Sequence, residues 1–195
     1  MIAAKRPANR NNARSRLTAT DERSELQSTT DPCSAPDGHY WVYAHSPVDG
    51  REQGQLLVGK WLIRMDCPYV EHYWGLIRDA TEDGTLGISA KISTDWGRLN
   101  DPAGPRRNHI VCVYTRDWRD EVDVLRVATR LRDVGAVKKM LLTYKPDIFT
   151  HAGRYEGDSP GEVAIYQCKA PYEHLVVDVH NRAAAEALFP SSGQL

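Results

Sequence analysis

Alternating and helical spacings of apolar residues succeed one another from residue 39 onward, the pattern of a mixed domain in which strands and helices share one core. HYWVYA at 39–44 and VGKWLIRM at 58–65 read as strands. After Pro68, YVEHYWGLIRDATED places Val70, Tyr73, Trp74 and Ile77 at helical spacing, which predicts an amphipathic helix ended near Gly84. LGISAKI at 86–92 alternates as a strand, residues 93–108 hold enough turn formers to predict the longest internal loop, and HIVCVYT at 109–115 is the next strand. Asp117 can cap a helix running from Trp118 to Val134, with Asp120 and Glu121 in its first turn, Val124, Leu125, Ala128 and Leu131 as its buried stripe, and Gly135 as its exit. KKMLLTYK at 138–145 is a strand stopped by Pro146. GEVAIYQC at 161–168 and EHLVVDV at 173–179 are further strands, and NRAAAEALF is a short C-terminal helix.

Residues 1–38 are rich in Asn, Arg, Ser, Thr, Asp and Pro and carry almost no apolar periodicity, so they are expected to form a flexible extension ahead of a single α+β domain at 39–195. Lys5, Arg6, Arg10, Arg14 and Arg16 lie in its first sixteen residues without an acid, which would suit an anionic surface or simply a solvated tail.

The 195 residues carry 25 Lys+Arg against 26 Asp+Glu, a formal charge of −1, so any basic site must be local. No stretch reaches the roughly 18 apolar residues of a membrane helix, and the start lacks the apolar run of a secretory signal, which predicts a cytoplasmic protein with no membrane partner. Cys33, Cys67, Cys112 and Cys168 form no C-x-x-C and read as reduced thiols. Cys67 and His72 are close in sequence, but no second ligand pair accompanies them, so neither a metal nor another cofactor is expected.

Strand alternation locates the candidate chemistry. If Trp61, Ile63 and Met65, then Ile88, Ala90 and Ile92, then Met140, Leu142 and Tyr144 lie under the helices, Lys60, Arg64, Lys91 and Lys145 emerge together on the other face of the sheet. Four cations on one face make an anion site, with phosphate the natural occupant. Exposed sheets also carry Lys and Arg paired with acids for solubility, which is the competing explanation. Trp61 and Trp74 read as core and Trp118 as cover for the start of its helix, whereas Trp96, in the long loop, is the candidate for stacking on a ligand. Tyr144, Lys145, Pro146, Asp147, His151 and Arg154 form the densest cluster of titratable groups, able to move a proton or only to shape a turn.

Three segments carry a family resemblance: GKWLIRM at 59–65 with the following EHYWGLIRDATEDGTLGISAKIS, then HIVCVYTRDWRDEVDVLRVATRLRDVGA, then KKMLLTYKPDIFTHAGRY. Together they resemble the basophilic-leukaemia-expressed protein family, a group of uncharacterised function whose fold is like that of the mRNA cap-binding translation initiation factor 4E. The resemblance spans about residues 58 to 170 and implies a curved, mainly antiparallel sheet with helices on its convex face. It implies that Trp61 corresponds to a core tryptophan, that Lys60 corresponds to a basic residue close to the cap phosphates in the cap binder, and that His109 stands where the cap binder has a phosphate-binding lysine, with Arg106 and Arg107 in the adjoining loop. The two tryptophans that sandwich the methylated base in the cap binder have no counterpart, since residues 45–57 contain none.

Three functions follow as expectations. The first is a module binding a phosphorylated small molecule, a nucleotide or nucleic-acid end, or a phosphopeptide through Lys60, Arg64, Lys91 and Lys145, with Arg106 and Arg107 closing over it and Trp96 stacking. The second, implied by bacterial relatives described as phosphothreonine lyases, is a carbon–oxygen lyase that eliminates phosphate, with Lys91 or Lys145 as base and His109 or His151 as acid. The Lys-x-His arrangement of that enzyme class matches no stretch of this chain. The third is an interaction scaffold. Nothing in the sequence sets an oligomeric state.

Overall fold

The computed structural model describes residues 26–48, 56–102, 104–155, 162–170 and 174–189. Among these residues seven strands form one curved antiparallel sheet: β1 (Trp41–His45), β2 (Gly59–Met65), β3 (Ser89–Ser93), β4 (His109–Thr115), β5 (Leu142–Pro146), β6 (Tyr166–Cys168) and β7 (Val176–Val177). Their order across the sheet is β1-β3-β4-β2-β5-β6-β7. The helices are α1 (Val70–Glu82), α2 (Asp95–Leu99), α3 (Glu121–Asp133), α4 (Asp147–His151) and α5 (Val179–Leu188). The α+β architecture is the one expected.

The core lies between the sheet and its helices. Trp61, Ile63, Val111, Val113, Ala90 and Ile92 point to that side and are all but inaccessible, against Val124, Val127, Ala128 and Leu131 of α3 and Val70, Trp74 and Ile77 of α1. A buried indole needs a partner for its N–H. Trp61 donates to the Val124 carbonyl at 3.0 Å, and Trp74 to that of Ser28 at 3.2 Å. Among the described residues no helix is long and apolar enough to cross a membrane.

Several boundaries differ from those the sequence predicts, each for a local reason. Helix α3 starts at Glu121 under an Asp120 cap, whose carboxylate accepts from the Asp123 amide, rather than at Trp118 under Asp117. Trp118 is instead pinned to the approach of β2: its amide donates to Leu57 and its indole to Leu56. The strand predicted from 138 begins at Leu142, with Met140 and Leu141 left exposed after the turn at Gly135. The segment 93–108, expected as a loop, contains α2, capped by Thr94, which accepts from the Gly97 amide.

Residues 1–25 lie outside the described residues. Residues 26–38, expected to be part of a flexible extension, instead pack on the domain: Leu26 bridges to Val42, the Ser28 carbonyl holds Trp74, and the Pro32 carbonyl accepts from the Asp95 amide at 2.9 Å.

Candidate functional site

Antiparallel register builds the site. Lys60 stands opposite Tyr114 on one side and opposite Lys145 on the other; Lys91 pairs with Cys112 and Tyr43, Leu62 with Cys112, and Arg64 with Ile110. All these side chains fall on the concave face, because residues directly opposite across a ladder share a side. All of them but Tyr43 and Tyr114 line a cavity of about 220 Å³. Its described walls are also formed by Tyr40 and Trp41, Thr150 of α4, Tyr155, and Arg98, Asp101 and Arg106 of the segment after β3.

Lys60, Lys91, Lys145, Arg98 and Arg106 are individually held in place. Lys60 is largely buried, its side chain 12 % exposed, and pairs with Asp147 at 2.5 Å. Burial would push its pKa down; Asp147, chiefly, overcomes this and holds it above the usual lysine value. Lys145 donates to the Arg154 carbonyl at 2.6 Å and lies 4.6 Å from the centre of the Tyr155 ring. The Lys91 ammonium sits 4.1 Å from the centre of the Trp41 ring, a cation–π contact that orients both. Arg98 pairs with Asp95, and Arg106 with Asp101, each at 2.7 Å. Arg98 also donates to the Arg106 carbonyl at 3.1 Å, tying the two arginine-bearing segments together. Cys112 lies at the floor; burial raises its pKa, which Lys60 and Lys91 only partly offset.

The structure thus brings Lys60, Arg64, Lys91, Lys145 and Arg106 to one cavity, and leaves four other expected residues away from it. Arg107 is exposed, and its carbonyl accepts from the Cys67 thiol. Trp96 is not free to stack: as part of α2 it packs edge-on against Tyr40, ring centres 4.7 Å apart. His151 is exposed at the end of α4. His109 is fully buried on the opposite face of the sheet, the side of Val111 and Val113. Its Nδ1 is 2.6 Å from the Ser93 carbonyl and its Nε2 3.2 Å from Asp95 Oδ1. Burial holds its pKa below the ordinary imidazole value, against the Ser93 carbonyl and Asp95, which pull the other way. Trp41, Tyr40, Arg98 and Tyr155 were not expected at the site. The first was within reach of sequence reasoning, since Trp41 belongs to a predicted strand and alternation sets it with Tyr43 opposite Val42.

Among solved structures, the chain is similar to the schistosome eIF4E complexed with m7GpppG and 4E-BP at 12 % identity and TM-score 0.49, covering 79 % of this chain and 80 % of that one. It is similar to C. elegans eIF4E-3, in complex with the 4E-binding protein Mextli and a cap analog, at 15 % identity and TM-score 0.44, covering 71 % and 76 %. It is similar to Ascaris suum eIF4E-3 with the m2,2,7G cap at 16 % identity and TM-score 0.39, covering 53 % of this chain and 60 % of that one. At TM-scores below 0.5, none of these likenesses bears on what this chain binds. The sequence model of the family described as basophilic leukemia-expressed protein Bles03 matches residues 48–153. That stretch includes β2 to β5, with Lys60, Arg64, Lys91 and Lys145 on them, and the chain belongs to the Bles03 family.

Proposed function

We propose that the concave cavity binds a phosphorylated ligand of the nucleotide class. The carrying observation is the convergence of Lys60, Arg64, Lys91 and Lys145, from three strands, with Arg98 and Arg106 from the neighbouring segment. Phosphate suits such a set because it offers several acceptor oxygens at once, and arginine forks and lysine ammonium groups bind them as charge-assisted hydrogen bonds. Lys60 and Lys145 are prepositioned by Asp147 and the Arg154 carbonyl, so little side-chain entropy is lost when an anion arrives.

Trp41 and Tyr40 supply the apolar wall that a bare anion site would not need. A nucleobase against Trp41 would take the ring face beside Lys91, and the phosphates would run toward Arg64 and Arg106. A 5′-phosphorylated nucleic-acid end shares the anionic group and is an outcome of the same titrations.

Elimination of phosphate would need an acid and a base facing each other across the cavity. Lys91 and Lys145 line it, but neither His109, on the far face, nor His151, at the exposed end of α4, does, so the expected base has no histidine acid across from it. Binding without chemistry is the better account of these residues.

Calorimetric titration of the full chain with inorganic phosphate, ATP, GTP and a 5′-phosphorylated oligonucleotide tests the proposal. Affinity should fall on raising ionic strength and drop at least tenfold in Lys91→Ala and Arg64→Ala, in protein whose circular dichroism is unchanged. Absence of saturable binding by every one of these probes, or equal affinity in both variants, overturns it.

A further inference from the structure

On the face of the sheet opposite the cavity, three groups distant in sequence converge: the Cys33 thiol, the Asp95 carboxylate and the His109 imidazole, with their ligand atoms all within 4.8 Å of one another. The ring of His109 is oriented from behind. A carbonyl oxygen can only accept, so the 2.6 Å contact to Ser93 requires the proton on Nδ1. In a neutral imidazole Nε2 is then a lone pair, and it faces a carboxylate oxygen at 3.2 Å, with Cys33 Sγ 4.0 Å away. The same oxygen accepts from Arg98 Nε at 2.7 Å, which fixes the carboxylate in place beside the ring. Asp31 and Glu71 add two more carboxylates around the same thiol.

The dimensions fit a particular ion. With Zn–N near 2.05 Å, Zn–O near 2.0 Å and Zn–S near 2.3 Å, a tetrahedral site has an N···O edge of about 3.3 Å and an S···N edge of about 3.5 Å. The N···O edge is already met, and the sulfur, within 4.8 Å of the other two ligand atoms, has to approach the imidazole by about half an ångström, which a half-buried turn residue can do. The donor set of thiolate, imidazole and carboxylate excludes the hard cations Mg²⁺ and Ca²⁺ and suits Zn²⁺. An imidazole whose second nitrogen donates to a backbone carbonyl is the usual outer arrangement of a zinc-bound histidine.

We propose that Cys33, Asp95 and His109 bind a Zn²⁺ ion that fastens the 26–38 segment to the β3–β4 part of the sheet. Glu71, exposed on the first turn of α1, or a water completes the tetrahedron; both oxygens of Asp31 are already engaged, by the Cys33 amide and the Ser34 hydroxyl. On binding, the Cys33 thiol gives its proton to solvent as the Zn–S bond forms, and His109 has none to lose from Nε2. The role is structural: the ion would cross-link a chain segment poor in apolar residues to strands that already have a core.

The test uses the full chain, stripped with a chelator and reconstituted with Zn²⁺ or Co²⁺. Expected are one zinc per chain by elemental analysis after gel filtration, about one proton released per zinc, and a thiolate-to-cobalt charge-transfer band. Zinc should also raise the melting temperature of the wild type. Cys33→Ser should lose the band and the thermal shift, and Cys67→Ser should keep both. If Cys33→Ser folds poorly, Asp95→Asn carries the same expectation. Less than stoichiometric zinc on the wild type overturns the proposal and leaves an imidazolium between Ser93 and Asp95, and a cobalt band that survives Cys33→Ser overturns it equally.

Discussion

Lys60 and Lys145 face each other directly across the β2–β5 ladder, two ammonium groups on the buried floor of one cavity. Like charges opposite one another destabilise a strand pair, so the fold must compensate them. It does so by different means: Asp147, the first residue of α4, meets Lys60, and the Arg154 carbonyl, just beyond that helix, accepts from Lys145. The short α4 therefore locks both lysines in place, which links the turn after β5 to the readiness of the site for an anion.

Asp147→Asn should destabilise the protein by about 3 kcal/mol, since it leaves a buried ammonium without its carboxylate. The pH dependence should also change sign. In the wild type the Lys60 pKa is raised above 10.5, so its contribution to stability is fully present below that value and lost as pH rises through the folded pKa. Without Asp147 burial dominates and the folded pKa falls below the unfolded one, so the variant should gain stability as pH rises toward the unfolded value of 10.5, over a range where Lys60 contributes no slope in the wild type. Urea midpoints measured across that range decide the matter, and a variant as level as the wild type would contradict it.

Trp41→Leu separates the base from the phosphate. If a nucleobase rests on the indole, the variant should lose roughly tenfold more affinity for ATP or GTP than for inorganic phosphate. Equal losses for both probes would mean that the ring acts only by holding Lys91.

Gly59→Ala should lower the melting temperature. A Cβ at that position would stand 2.2 Å from the hydroxyl of Tyr144 and 2.6 Å from its ring, and Tyr144 is fully buried, with its hydroxyl 2.5 Å from that of Thr115. Overpacking of this kind costs roughly 1–3 kcal/mol. Tyr144→Phe should not restore stability, because the ring carbons clash as well. Chemical denaturation of the single and double variants is the check.

Releasing Arg126 should loosen the turn after α1 without touching the cavity. Its guanidinium donates to the Thr85 and Leu86 carbonyls at 3.0 and 2.8 Å, which joins α3 to the entry of β3. Arg126→Ala is expected to cost about 1 kcal/mol through those lost bonds and to leave phosphate titrations unchanged. Weakened phosphate binding in that variant would show that the loop and the site are coupled.

Periodicity along the chain was enough to locate most elements and to set four lysines and arginines on one face, because alternation in a strand is a local property: Lys60 cannot share a side with Trp61. The helix α2 was missed, because the turn formers of 93–108 argue for a loop. Residues that lie outside regular strands were placed less well. Trp96 and Arg107 sit in the segment between β3 and β4, where side-chain direction follows from packing: Tyr40 captures the indole, and Arg107 turns outward while Arg106 is drawn in by Asp101.

The amino-acid order alone determined the alternating faces, the helical stripes and the cations that strand spacing brings to one side. Only the tertiary structure decided which partners those groups meet. Cys33, Asp95 and His109 become neighbours because 26–38 packs against the sheet beside α2, and Lys60 finds Lys145 because β2 lies between β4 and β5. Such contacts depend on strand order and on how segments dock, which are set by burial of the whole core and leave no mark in the spacing of residues along the chain.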